Sequence, residues 1–371
     1  MALRIVIAGG GTGGHLYPGI AVAREILTRQ GDAQISFAGT ARGIEARVVP
    51  REGFGLDLIR SGGLKGKSLA DRARGAWLLP LGLVDASRIV STRKPDLVIG
   101  VGGYSSGPVV LVAALRGVPT MLLEQNAVPG LTNRLLARVV RAAAVTFDST
   151  ASFFGSKAFV SGNPVRPEFL AAAGSQQEST RDDQTSSAGI LVFGGSQGAH
   201  AINVAMVEAA AQLAAGNPPL RLTHQTGERD VEMVRAGYRR AGLRAEVEPF
   251  LYDMGRQLVA ADVIVSRAGA TTLAEITAAG KAAILIPLPT ATDDHQRKNA
   301  EALAESGAAD VLLQRDMTGA VLAERILALA SDRERRTRMA QAARSLARPD
   351  AAKAIVDKAL EIADRAIGDR R

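Results

Sequence analysis

The sequence contains no cysteine and only four histidines. Without cysteine there are no disulfides, thiolate nucleophiles, iron–sulfur clusters or cysteine-ligated zinc sites. The histidines, at positions 15, 200, 224 and 295, are too far apart in the chain to match a metal-ligand motif such as H-E-x-x-H. We therefore predict chemistry that is independent of a metal ion or borrows a weakly held one, in a reducing setting. We also expect no cofactor.

Long apolar runs and aromatic residues are also scarce. The longest apolar runs, 76–84 and 107–115, are about half of the roughly 20 residues that span a bilayer. Aromatic residues make up 4% of the chain, which gives no base-stacking platform for a nucleic acid. The formal net charge is nevertheless +8, which predicts an anionic partner such as a phosphate-bearing metabolite or a membrane surface.

One structural plan occurs twice in the 371 residues. The apolar run 3–8 leads through a glycine-rich loop into a helical pattern, and the run 190–193 does the same. Strands that alternate with helices predict parallel sheets, so the expected fold class is α/β with two doubly wound, Rossmann-like domains. We place the first domain at 1–163 and the second at 164–349, followed by a helix at about 350–371.

A glycine loop between a strand and a helix is suited to binding phosphate. Gly9, Gly11 and Gly14 match the dinucleotide pattern, but the second predicted strand, 34–40, lacks the acidic residue that holds the ribose in a nicotinamide dehydrogenase. The P-loop motif of a kinase is also excluded, because Ser61 stands where the leading glycine would be required ahead of the GKS at 66–68. Two such loops favour a reaction between two bulky phosphate-bearing substrates, as in a nucleotide-sugar glycosyltransferase.

The first half of the chain carries about 18 residues more than the second between matching landmarks, and they fall around 65–94. This segment has seven Lys and Arg against two Asp, and it contains the single tryptophan. A basic, apolar-edged segment is typical of a membrane-surface patch. Its candidate residues are Arg72, Arg74, Trp77, Leu78 and Leu79. The alternative is a basic helix followed by a core helix.

Several short motifs follow one another along nearly the whole chain. They are GGTGGH at 10–15, GGYSSGP at 102–108, EQN at 124–126, GNPVR at 162–166, GGSQGA at 194–199, RAGATT at 267–272 with Glu275, and DHQ at 294–296. Together they closely resemble the MurG family, bacterial enzymes that transfer N-acetylglucosamine from UDP-N-acetylglucosamine to lipid I. The product, lipid II, serves peptidoglycan synthesis, and with it cell shape and cell division. The resemblance implies the GT-B fold, in which two Rossmann-like domains face a cleft and the last helix packs back on the first domain.

The resemblance also implies roles for residues of the donor site. Ser196 and the neighbouring loop amides should contact the diphosphate, and Glu275 should hold the ribose hydroxyls. Arg166 is a candidate for the charged part of the donor, with a salt bridge between the domains as the alternative. Asn126 and Gln296 should recognise the amide and hydroxyls of the sugar. The uridine site is expected at Leu251, Ala270, Thr271, Thr272, Leu273 and Ala274.

The acceptor is expected in the first domain, where Thr12, Gly13 and Gly14 should contact substrate. His15 follows this loop, and we predict that it removes the proton of the muramyl 4-hydroxyl, with Glu124 as the rival base. In-line attack on the anomeric carbon would invert the α-linked donor to a β-linked product, with no covalent intermediate.

Lipid I keeps its polyprenyl tail in the bilayer, so its enzyme must work at the membrane surface. For the segment around 65–94, this favours a membrane-surface patch over the alternative of a basic helix followed by a core helix. The resemblance thus implies a peripheral protein on the cytoplasmic face of the plasma (inner) membrane. Its partners would be UDP-N-acetylglucosamine, lipid I and an anionic membrane surface, but no nucleic acid. Two alternatives are a UDP-sugar epimerase of the same fold, which needs no lipid acceptor, and a membrane-surface nucleotide-binding module without turnover.

Overall fold

The computed structural model describes residues 2–62, 69–166, 169, 187–195 and 197–368, and for 69–77 it describes the backbone alone. The chain divides into two compact units, Met1–Val165 with Arg348–Arg371, and Arg166–Ala347. Each unit contains one parallel sheet flanked by helices. The predicted α/β class with two doubly wound domains is therefore confirmed.

The sheet of the first unit has seven described strands, and all of its pairings are parallel. They are β1 Arg4–Gly9, β2 Gln34–Gly39, β3 Gly55–Leu58, β4 Leu97–Gly102, β5 Thr120–Glu124, β6 Ala142–Val145 and β7 Ala158–Val160. Their order in the sheet is β3-β2-β1-β4-β5-β6-β7. The order reverses between β1 and β4, and the loops at the carboxyl ends of these two strands are where such sheets bind ligands.

Helices cover both faces of this sheet, which explains why β1 and β4 are apolar almost throughout. The helices that precede the second unit are α1 Gly13–Arg29, α2 Glu45–Arg51, α3 Leu69–Arg93, α4 Ser106–Leu115, α5 Leu131–Leu136 and α6 Asp148–Phe154. One core cluster joins the sheet to α1, and another joins it to α3 and α4.

Helix α3 is one continuous helix of 25 residues with Pro80 inside it. The alternative predicted two helices here, a basic one followed by a core helix. That prediction is wrong, because one helix runs through the whole stretch. Ala86, Ile89 and Val90 of its last turns are buried in the core of the first unit. Leu78 is half-buried and Leu79 is exposed, whereas the side chains of Arg72, Arg74 and Trp77 lie outside the described residues.

The second unit repeats the plan with six described strands, again all parallel. They are β8 Ala188–Phe193, β9 Leu220–Gln225, β10 Ala245–Glu248, β11 Val263–Ser266, β12 Ala282–Leu285 and β13 Ala309–Val311, in the order β10-β9-β8-β11-β12-β13. The helices whose full bounds are described in this unit are α7 His200–Ala214, α8 Val231–Arg240, α9 Met254–Ala260, α10 Ala270–Ala279, α11 His295–Glu305, α12 Gly319–Ser331 and α13 Arg333–Leu346.

The last helix, α14 Ala351–Gly368, belongs to the first unit. Its buried face, which includes Ile355, Val356 and Ala359, joins the same core cluster as α1. Arg29 at the end of α1 forms an ion pair with Asp357 of α14. The chain therefore returns to its first unit after completing the second.

Candidate functional site

The first glycine loop connects β1 to α1 and packs against the loop that follows β4. A Cβ atom at Gly9 would lie 2.4 Å from the carbonyl oxygen of Gly102, and one at Gly103 would lie 2.6 Å from that of Gly10. Glycine is required where two backbones approach this closely. The two loops at the point where the strand order reverses therefore pack backbone against backbone.

His15 lies in the first turn of α1, beside these two packed loops. Its Nδ1 is 3.3 Å from the Thr12 hydroxyl, and a Cβ atom at Gly102 would lie 2.9 Å from its Cδ2. Gly102 also has a φ of 96°, which favours glycine. Gly13 and Gly14 begin α1 beside this half-buried imidazole, and Thr12 is exposed. The loop therefore holds His15 together with the three predicted acceptor residues.

Glu124, at the end of β5, is buried and accepts hydrogen bonds from one loop and one helix. The donors are the backbone and side-chain amides of Asn126 at 3.1 and 3.3 Å, the Gly130 amide at 2.9 Å and Asn133 Nδ2 at 2.9 Å. Burial raises the pKa of Glu124, while these hydrogen bonds act to lower it. Glu124 thus holds Asn126, as a positioning carboxylate would. Sequence reasoning missed Asn133, which lies on α5.

Three buried polar atoms near these strand ends have no partner among the described residues. They are Gln125 Oε1, Asn133 Oδ1 and the Ser106 hydroxyl. A buried polar atom without a hydrogen bond costs free energy, so native proteins supply a partner for nearly all of them. These atoms favour a polar ligand or water at the carboxyl edge of the first sheet.

In the second unit, Arg166 and Glu275 form an ion pair although they are far apart in sequence. Arg166 Nη2 and Nε donate to Glu275 Oε1 at 2.8 and 3.1 Å. The Glu275 carboxylate is 5% exposed, and the guanidinium stacks 4.5 Å from the ring centre of Phe169. The alternative for Arg166 was a salt bridge between the two domains. This ion pair is not such a bridge, because both of its residues lie in the same unit.

The helix that carries Glu275 begins beside the end of β11. The Thr271 hydroxyl, in the first turn of α10, is buried without a partner among the described residues, and Gly269 at the N-cap supplies no side-chain cap. Ala270 and Leu273 are buried, whereas Thr272 and Ala274 are half-buried. Leu251 is buried between the exposed Phe250 and Tyr252, which follow β10. The start of α10 thus combines backbone amides without a side-chain cap, a buried hydroxyl and the buried apolar side chains of Ala270 and Leu273.

The other predicted donor contacts are placed less completely. Ser196 lies outside the described residues, although Gly195 and Gln197 on either side are described. Gln296, in the first turn of α11, accepts a hydrogen bond from the Leu288 amide at 3.0 Å through Oε1. Arg267 is a half-buried cation that sequence reasoning did not single out. It donates to the carbonyls of Ile286 and Pro287, and burial lowers its pKa to about 10.

A buried polar network lies beneath the second glycine loop. Asn203 Nδ2 donates to the Thr226 carbonyl and to Asp230, so Asn203 Oδ1 accepts from His224 Nε2 at 3.0 Å. His224 Nδ1 then accepts from the Tyr238 hydroxyl at 2.6 Å. Burial lowers the pKa of His224 to about 3, so the imidazole is neutral in the folded protein.

This neutral His224 predicts a loss of stability in mild acid. The folded pKa lies below the ordinary value of about 6.5, so between pH 6.5 and 3 the unfolded chain binds a proton that the native protein does not. The free energy of unfolding should therefore fall by about 1.4 kcal/mol between pH 7.5 and 5.5 on account of this residue. Urea unfolding of wild type and of His224→Gln at both pH values measures it. An equal pH dependence in the two proteins would contradict the assignment.

Neither a metal cluster nor a membrane span is found among the described residues. In that part of the chain no three His, Asp or Glu side chains are grouped so that they could hold a metal ion. None of the helices described there combines the length and the apolar character needed to cross a bilayer.

Comparison with known proteins gives matches over both units. The N-terminal domain of glycosyltransferase family 28 matches residues 5–145, and the C-terminal domain of that family matches 189–355. Two curated relatives carry the name UDP-N-acetylglucosamine–N-acetylmuramyl-(pentapeptide) pyrophosphoryl-undecaprenol N-acetylglucosamine transferase. The protein of Anaeromyxobacter sp. (strain K) is 47% identical over 367 residues, which are 99% of this chain and 94% of the relative. That of Pelobacter propionicus is 48% identical over 375 residues, covering 96% of this chain and 99% of the relative. Among solved structures, Acinetobacter baumannii MurG superposes with a TM-score of 0.80 at 34% identity, covering 97% of this chain and 99% of that one.

Proposed function

Because the chain belongs to glycosyltransferase family 28, and within it to the MurG transferases of the GT-B fold, we infer that it transfers N-acetylglucosamine from UDP-N-acetylglucosamine to lipid I, yielding lipid II. The observation that carries this inference is the similarity over nearly the whole length to transferases of that name. The cellular role is peptidoglycan synthesis, which underlies cell shape and division.

The donor binds to the second unit. Glu275 accepts hydrogen bonds from the two ribose hydroxyls, and the start of α10 with Thr271 faces the nucleoside. Arg166, stacked on Phe169, orients Glu275 and adds positive charge near the donor. The uracil lies against Leu251, and Gln296 recognises the sugar. The diphosphate binds the second glycine loop around Ser196, where backbone amides and the N-terminus of α7 favour an anion.

The acceptor binds to the first unit, where His15 accepts the proton of the muramyl hydroxyl. As that oxygen bonds to the anomeric carbon, the bond from this carbon to the diphosphate oxygen breaks and UDP leaves with the electron pair. One displacement inverts the configuration from α to β. Glu124 acts on this site through Asn126, which it holds by two hydrogen bonds, so it is a positioning residue and His15 is the base.

The same unit contacts the membrane through α3. Leu79, Leu83 and Val84 are 44%, 38% and 62% exposed, although they are large and apolar. They continue the apolar stretch that begins at Trp77 and Leu78, next to the basic Arg72 and Arg74. Apolar side chains beside a cluster of cations suit the interface of an anionic membrane, where the cytoplasmic leaflet presents the lipid acceptor.

Replacing Leu79, Leu83 and Val84 with serine should weaken binding to vesicles of anionic phospholipid by about tenfold or more, because three exposed apolar contacts are lost. Vesicle co-sedimentation at low and high salt measures the change. The matched control is Met233→Ser, which removes a similarly exposed apolar side chain from the second unit. If the triple variant and the control bound the vesicles equally well, α3 would not be the membrane-binding helix.

Release of UDP from UDP-N-acetylglucosamine, measured with and without lipid I, tests the proposed function. A transferase releases UDP only when the lipid acceptor is present. Isomerised sugar without acceptor would instead indicate an epimerase, and binding without any turnover would indicate a nucleotide-binding module.

A further inference from the structure

The first residue of α7 is His200, which directly follows the second glycine loop at 194–199. Its side chain is 55% exposed, and its Nδ1 lies 3.0 and 2.9 Å from the two carboxylate oxygens of Asp230. A carboxylate that holds one ring nitrogen of a histidine fixes the orientation of the imidazole and favours its protonated form, as in catalytic triads. His200 is therefore an oriented imidazole that is open to a ligand.

Asp230 is itself held in place by the interior of the second unit. Its side chain is 8% exposed, and Asn203 Nδ2 donates to its Oδ2 at 2.8 Å. The Asn203 amide cannot turn around, because its Oδ1 accepts from His224 Nε2 at 3.0 Å. Burial acts to raise the pKa of Asp230, but the hydrogen bonds from Asn203 and His200 outweigh burial and hold the pKa below its ordinary value. Asp230 is thus an ionised carboxylate at neutral pH.

The charge of Asp230 determines which ring nitrogen of His200 carries a hydrogen. An ionised carboxylate can only accept hydrogen bonds, so Nδ1 is the protonated nitrogen of His200. Nε2, on the other side of the ring, forms no hydrogen bond with any residue that the structure describes. When His200 takes up a second proton, Nε2 becomes a donor as well, and the resulting imidazolium suits an anionic ligand.

The segment that ends at Asp230 packs against the second glycine loop. A Cβ atom at Gly198 would lie only 1.8 Å from the carbonyl oxygen of Thr226, so the two backbones touch at this point. The Cα–Cβ bond of a helical residue tilts toward the start of its helix, so His200 leans toward the loop. The imidazole therefore lies next to the loop to which we assign the diphosphate of the donor.

We propose that His200 is a further residue of the donor site, which donates from Nε2 to a phosphate oxygen of the donor and of the departing UDP, while Asp230 positions its ring. This proposal rests on the proposed function, which assigns the diphosphate to this loop. Negative charge grows on the terminal phosphate of UDP as the bond to the anomeric carbon breaks. An imidazolium at this position stabilises the leaving group more than the intact donor, and such a difference lowers the activation barrier.

Calorimetric titration at about pH 6, where protonated imidazole is favoured, compares UDP with uridine, which lacks both phosphates. His200→Gln should bind UDP about tenfold or more weakly than wild type, because a hydrogen bond between charged groups is lost. Its affinity for uridine should equal that of wild type. His200→Arg keeps a cation that can pair with Asp230, so it should bind UDP nearly as wild type does. Both variants change an exposed side chain, so the core is left intact.

Two further variants separate the imidazole from its surroundings. Arg229→Gln is the matched control, because Arg229 is another exposed cation beside the same carboxylate, with its Nε 4.0 Å from Asp230 Oδ1. Its affinity for UDP should be that of wild type. Asp230→Asn replaces the carboxylate with a neutral amide, which no longer favours the imidazolium, so it should weaken the binding of UDP and leave that of uridine in place.

A His200→Gln protein that binds UDP as tightly as wild type, or that loses affinity for UDP and uridine alike, would overturn the proposal and leave the proposed function intact. An equal loss of UDP affinity in Arg229→Gln would also overturn it, because any nearby cation would then have the same effect. Equal losses for UDP and uridine in Asp230→Asn would overturn the positioning role of Asp230. Failure of wild type to bind UDP at all would overturn the proposed function as well.

Discussion

Replacing His15 with alanine is expected to lower kcat by about 10²- to 10⁴-fold, the usual contribution of a general base. The KM for UDP-N-acetylglucosamine should change little, because His15 lies in the unit that binds the acceptor. The physical reason is position: the imidazole rests on Gly102 with Nδ1 near the Thr12 hydroxyl, at the carboxyl end of the sheet where substrate binds.

The His15→Gln variant separates proton transfer from packing. Glutamine fills the space beside Gly102 and can still bond Thr12, but it cannot take a proton. It should therefore be as slow as the alanine variant, and its kcat should lose the decline on the acid side that protonation of a catalytic imidazole causes. Turnover at the wild-type level in either variant, with both substrates saturating, would show that His15 is not the base.

Replacing Glu275 with alanine is expected to lower kcat/KM for the donor by about 10- to 150-fold, because a hydrogen bond to a charged group contributes about 1.5–3 kcal/mol. Most of the change should be in the KM for the donor, with the KM for the acceptor unaltered. The buried carboxylate contacts Arg166, so the variant also loses an internal ion pair. Thermal melting records that effect separately from catalysis.

A donor analogue that lacks one ribose hydroxyl distinguishes a ligand contact from a structural one. Wild type should use the analogue less well than the natural donor, whereas Glu275→Ala should treat the two alike. The control Glu301→Ala removes a half-exposed carboxylate of α11 that pairs with Arg297 and Lys298, and it should discriminate as wild type does. If Glu275→Ala still preferred the natural donor over the analogue as strongly as wild type does, Glu275 would not contact the ribose.

The parts of the fold that the sequence made predictable are those with local signals. The apolar run of β1 followed by glycines predicts a strand, a loop and a helix because parallel strands are buried on both faces. The same signal recurs at β8. The continuity of α3 through Pro80 was not predictable in this way, because a proline inside a helix and a change from basic to apolar residues both favour two helices over one.

The candidate site was predictable residue by residue but not as a set of contacts. Arg166 and Glu275 were each assigned to the donor, yet nothing in their motifs indicates that they pair across 109 positions.

The most direct test of the central claim follows the sugar itself. Radiolabelled UDP-N-acetylglucosamine is incubated with the protein and lipid I, and the label is counted in the organic and aqueous phases. We expect label to enter the lipid phase in step with UDP release, as a β-linked disaccharide on the lipid. Release of UDP while the label stays in the aqueous phase would contradict it.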